Sequence, residues 1–147
     1  MSPNDFTKSA LQRACLSNAE AMDFLQRWVD YIHGIDDLID EQTNAEFRIG
    51  LFIRALEIYN HPFYLKHRLT LNPVILNTTN LYADSVAWEQ SEVAWQREFA
   101  DYARHGGGEM VMVVAGIVGG YPHMRAISQE FRAVNYCTDH QEKVKTQ

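Results

Sequence analysis

Cysteine is nearly missing: Cys15 and Cys137 are the two thiols in 147 residues, far apart and without metal-ligand spacing. That excludes a disulfide-stapled scaffold and a cysteine metal knot, and it leads us to expect a reduced, cytoplasmic protein. Positive charge is also scarce. Thirteen Lys and Arg against nineteen Asp and Glu leave a formal net charge of -6, which excludes a broad electrostatic footprint for nucleic-acid phosphates. No apolar run reaches the ~20 residues of a membrane span, the longest candidate being Met110 to Gly120. The segment Met1-Ser2-Pro3-Asn4-Asp5-Phe6 lacks the basic and apolar pattern of a secretion signal. A P-loop lysine, a Gly-x-Ser-x-Gly elbow and a Glu-x-x-His pair are all absent, which argues against nucleotide cradles, hydrolase elbows and bundle-type di-iron sites.

What is present is helical. No linker or repeat interrupts the chain, and its length suffices for one core. Residues 1–147 are therefore expected to form an all-α, single-domain bundle of about five to six helices, with one long central helix and a frayed tail at 141–147. Asn4 or Asp5 can cap a first helix, Ser17 or Asn18 a second, and Thr43 or Asn44 a third that stops before His61-Pro62. A basic, aromatic connector, Phe63 to Arg68, follows. Asn72-Pro73 then predicts the start of the long helix, uninterrupted as far as Gly106-Gly107-Gly108. Glu109 to Val118 is apolar almost all round and expected to be central. Gly119-Gly120-Tyr121-Pro122 should break the chain before a last amphipathic helix.

Chemistry concentrates at the end of the second helix, where Asp36, Asp37, Asp40 and Glu41 crowd six positions. The C-terminal pole of a helix is partially negative and repels carboxylates, so such a cluster needs something positive beside it. Either Gly34 breaks the helix and an aspartate caps a new one, or the acids bind a hard cation such as Mg²⁺. Asp36 and Asp40 share a helix face and would be the metal ligands, with Asp37 supporting. A polar-aromatic stripe on the fourth helix includes Asn80, Asp84 and Trp88. Its Asn80 and Asp84 could add oxygen ligands, unless the stripe is simply local hydrogen bonding and packing. Arg54, Lys66 and Arg68 could grip phosphate oxygens, although such groups are usually solvated. Arg97, Arg104 and His105 read as ordinary helix-end chemistry.

The run His33-Gly34-Ile35-Asp36-Asp37-Leu38-Ile39-Asp40-Glu41 resembles the first aspartate-rich motif of class I isoprenoid synthases, especially the squalene and phytoene synthase branch. The resemblance implies a helical cavity in which Asp36 and Asp40 hold Mg²⁺ against a prenyl diphosphate. The second acidic motif of those enzymes is not matched by Tyr82 to Glu89, and the motif covers a small part of the chain. A weaker likeness links Asp37-Leu38-Ile39-Asp40 and Glu57-Ile58-Tyr59-Asn60 to the paired acids of all-α MazG and dimeric dUTPase-type nucleotide pyrophosphohydrolases. Both imply a Mg²⁺-dependent activity on a small-molecule diphosphate, and a homodimer fits the second. A non-catalytic bundle working by helix-mediated association, with its three Trp and seven Tyr partly at an interface, is the expectation from a different class.

Overall fold

The computed structural model describes the backbone of residues 3–146 and the side chains of residues 7–135. The expected frayed tail, 141–147, and the thiol of Cys137 lie outside the described side chains. The chain is all-α, with α1 (Pro3–Cys15), α2 (Ala19–Asp40), α3 (Ala45–Tyr59), α4 (Pro62–Trp88), α5 (Ala94–Ala103) and α6 (Glu109–Thr146), and a 3₁₀ turn over the three glycines at 106–108. Two of the expected caps are in place: Asn18 Oδ1 accepts from the Ala21 N–H at 2.9 Å, and Asn44 Oδ1 from the Phe47 N–H at 2.8 Å. Gly34 does not break α2. It is buried where α3 crosses, and a Cβ there would meet Leu51 Cδ1 at 2.7 Å.

The first half of α6 forms the centre, with Met110, Val111, Val114 and Ala115 almost completely enclosed by Phe24, Leu25, Trp28, Phe63 and Leu71. Gly120 takes a φ of 82°, a conformation that suits glycine, and reverses the chain. The proof is Arg132, whose Nη2 donates to Glu109 Oε2 at 2.9 Å, whereas a straight helix would hold these residues roughly 35 Å apart. The stretch Ala94–Asn135 is long and apolar enough for a membrane span by length and composition. It is not one rod, because it breaks around the triple glycine and folds back at Gly120.

Three boundaries differ from expectation. α1 already runs from Pro3, so Asn4 and Asp5 lie inside the helix instead of capping it. The basic connector is helical: Pro62 opens α4 behind His61, whose Nδ1 accepts from the Phe63 N–H at 3.1 Å, and Pro73 lies inside the helix, which departs from helical angles at His67. The long helix then stops at Trp88 rather than running to the glycines. Ser91 ends it, its hydroxyl accepting from the Val93 N–H at 3.1 Å and its carbonyl from Arg97 Nη1 at 2.7 Å, while Trp88 and Trp95 meet edge to face at 5.4 Å. The turn sends α5 back along α4 and delivers its last residues to the acidic end of α2.

Candidate functional site at the acidic end of α2

The positive group that the acidic cluster demands comes from inside the chain. Arg104, just past the end of α5, donates from Nη1 to Asp36 Oδ1 at 3.1 Å and to Asp40 Oδ2 at 2.8 Å, and from Nη2 to Glu89. The Tyr82 hydroxyl donates to the same Asp36 oxygen at 2.7 Å, and the guanidinium lies 5.4 Å from the centre of the Tyr82 ring. Arg104 is 19% exposed while Asp36 and Asp40 are about half exposed, so the cation is covered and the anions rim it. Burial opposes the charge on Arg104, but its hydrogen bond to Asp40 and its neighbours Tyr82 and Glu89 outweigh that and hold it more firmly protonated. Burial, reinforced by the bond to Asp36, pushes the Tyr82 phenol well above its ordinary range. Helix–helix attachment is the direct product: α2 is clamped to the α4–α5 turn and to the end of α5.

Asp36 and Asp40 thus come together as anticipated, and Asp37 is exposed beside them. Tyr82 of α4 and Glu89, which caps that helix, are the residues that reach the cluster. Asn80 and Asp84 lie about 160° round the helix from Tyr82 and face outward, exposed. Trp88 is half-buried against Trp95 and Phe99. Arg54 lies over Gly34, near the cluster, but Lys66 pairs with Glu20 at 3.3 Å, roughly 24 Å back along α2, and Arg68 is exposed on the same early part of α4. The two acid pairs read as pyrophosphohydrolase-like also separate, since Glu57 is held by Arg27 at 2.8 Å, roughly three and a half turns before Asp40. Arg104 was misplaced by sequence reasoning as a helix-end cation. The signal that could have found it was the demand of the cluster itself for a counter-charge.

The triple glycine serves packing. Cβ atoms on Gly106 and Gly107 would meet Leu81 at 2.6 Å and Ile32 at 2.7 Å, and the Gly107 carbonyl accepts from Trp28 Nε1 at 2.9 Å. An open groove of about 510 Å³ lies at the other end of α2, lined by Glu20, Asp23, Arg27, Glu57 and His61. His61 there has both ring nitrogens engaged: Nε2 pairs with Asp23 at 2.7 Å while Nδ1 caps α4. The bond from His61, followed by that from Arg27, lowers the Asp23 carboxyl below its ordinary value. Among the described residues no buried side-chain nitrogen or oxygen lacks a partner, so no orphaned polar atom points to a ligand. Nor do the described residues include a group of three or more His, Cys, Asp or Glu side chains arranged as metal ligands.

Among the described residues, the outer side of α3 is an apolar surface largely open to solvent, as are Leu65, Leu69 and Leu76 on α4. On α3 the inner face buries Leu51 and Ile58, at 5% and 2% exposure, against α2. About 150° round the helix, Ile49, Phe52, Ile53 and Leu56 form a second apolar stripe, with Phe52 at 65% and Ile49 at 61% exposure, and Tyr59 continues it while packing edge to face on Tyr64 at 5.3 Å. Surface helices ordinarily carry one such stripe; a helix apolar on opposing sides is normally enclosed. Comparison with protein-family models, with curated proteins and with solved structures gives no match.

Proposed function

We propose that the protein works by helix-mediated association, with the outer stripe of α3 as its contact surface. The observation that carries this is the pair of opposed apolar faces on one helix, of which one is covered. Five large apolar side chains in continuous helical register are a patch rather than the scattered exposure that any surface shows. A photo-crosslinking residue placed at Phe52 in the producing cell is expected to give one discrete adduct. A diffuse ladder, or no adduct, overturns the reading.

The Mg²⁺ and diphosphate reading stands second, favoured by one specific observation. Arg104 brings a single positive charge to three carboxylates, Asp36, Asp40 and Glu89, which leaves two formal negative charges around it. Oxygen donors of that kind suit Mg²⁺, and Arg104 would have to turn away, toward a phosphate, for the ion to take them. A bound ion would then neutralise charge on a diphosphate, whether leaving from a prenyl chain or attacked by water on a nucleotide. Melting curves with Mg²⁺, alone and with pyrophosphate, should move upward under this reading and stay put in an Asp36→Asn, Asp40→Asn double variant. An unmoved wild-type curve removes it.

A further inference from the structure

Resting on the association reading, we infer that the occupant of the outer α3 face is a second copy of this chain, giving a two-fold dimer. The stripe runs from Ile49 to Tyr59, about 15 Å of helix, without a charged residue across it. Arg48, Arg54 and Glu57 lie at its margins or behind it, and Glu57 is drawn back onto Arg27. A surface of this kind is its own complement, because it asks of its partner only apolarity and shape. An isologous contact supplies both by repeating the patch.

Area points the same way. The exposed parts of these five side chains amount to roughly 500 Å² of apolar surface, against about 800 Å² per partner in an interface of standard size. That makes an apolar centre, and the exposed Ala45 and Arg48 at its border extend it toward the full area as a more polar rim. Antiparallel packing about an axis between Phe52 and Ile53 sets Ile49 against Leu56 of the partner subunit and Phe52 against Ile53 of the partner subunit, while Tyr59 falls at the end of the contact opposite Glu46 of the partner subunit. The α3 helix has little else to hold it: it rests mainly on α2 and touches α4 lightly. A second copy would enclose it on both sides.

Sedimentation of the purified full chain tests this directly. We expect a species of twice the 16.9 kDa chain mass at tens of micromolar. Phe52→Glu should raise its dissociation constant by about a hundredfold or more, while far-ultraviolet circular dichroism and the melting of the dilute protein stay unchanged. Phe52 is exposed, so the variant has no reason to misfold. Asp84→Lys, exposed on α4, should leave the dimer intact. A monomeric wild type, or a dimer indifferent to both Phe52→Glu and Leu56→Glu, overturns the proposal. The broader reading fails separately. A monomer that gives a discrete adduct from position 52 of another mass, or that floats with phosphatidylglycerol vesicles only while Phe52 is intact, keeps association and replaces the second copy with a protein or lipid partner. A monomer with neither behaviour removes both.

Discussion

The acidic end of α2 and the outer face of α3 each break a rule of helix chemistry, and they differ in how the break is answered. Carboxylates gather at the negative pole of α2, where the helix dipole disfavours them. Large apolar residues face water along α3, where a surface helix should be polar. For α2 the answer comes from within: α5 turns back at Ser91 and brings Arg104 onto Asp36, Asp40 and Glu89, with Tyr82 completing the coordination of Asp36. For α3 the fold covers only the end of the stripe, where Tyr59 meets Tyr64 edge to face at 5.3 Å, and leaves Ile49, Phe52, Ile53 and Leu56 to solvent. A broken rule with an internal answer is architecture, whereas one without an answer directs attention outside the chain.

The largest effect expected from breaking this comparison is at Arg104. Arg104→Met keeps the length of the side chain and leaves three carboxylates facing one another. Removing one partner of a buried ion pair costs about 3–5 kcal/mol, but these acids are 36–47% exposed and solvent screens them, so roughly 2 kcal/mol is expected by denaturant melts. Mg²⁺ sharpens the result. If millimolar Mg²⁺ restores part of the lost stability in Arg104→Met and adds none to the wild type, the guanidinium holds the place a cation would take. If Arg104→Met costs nothing, the clamp is not what secures α2, and the contrast drawn here loses one side.

A smaller effect is expected at Tyr82. Tyr82→Phe deletes the 2.7 Å bond to Asp36 and should cost about 1 kcal/mol near neutral pH. Burial and that bond raise the phenol in the folded state. The unfolded chain therefore loses its proton first, near the ordinary value of about 10, and the stabilisation is complete below that pH and is lost as pH rises beyond it. Chemical denaturation followed from pH 8 to 11 should show a shallower alkaline decline in Tyr82→Phe. Equal slopes would mean that the phenol is not buried against Asp36.

Much of this was legible in the residues. The caps of α2 and α3, each expected at one of two neighbouring residues and found at Asn18 and Asn44, the central apolar run after Glu109 and the reversal at Gly119-Gly120 follow from local chemistry. What local rules could not give was partnership across the sequence. Arg104 lies 64 residues from Asp40, and nothing in its own neighbourhood separates a helix-end cation from a clamp. The turn at Ser91 was hidden for the same reason: a serine hydroxyl bonded to Val93 and two tryptophans meeting edge to face replace the glycine or proline that ordinarily signals a stop. Asn80 and Asp84 illustrate the cost, since their alignment with one another was readable but the direction of their common face was not.

The smallest effect on the isolated fold is expected on the outer stripe of α3, and it bears most directly on function. Ile49→Ser and Leu56→Ser act on side chains that are 61% and 45% exposed, so Ile49→Ser should change the stability of the dilute chain by no more than about 0.5 kcal/mol and Leu56→Ser by about 1 kcal/mol at most. Ile58→Ala on the inner face removes buried volume and leaves a cavity, and it sets the contrasting scale at about 3 kcal/mol. Raising the protein concentration should then separate wild type from outer variants. Any association that covers the stripe stabilises the folded state by mass action, so the wild-type melting temperature climbs with concentration and those of Ile49→Ser and Leu56→Ser climb less. Parallel curves for all three would place the stripe among ordinary surface residues, and α3 would then differ from α2 only in being poorly covered.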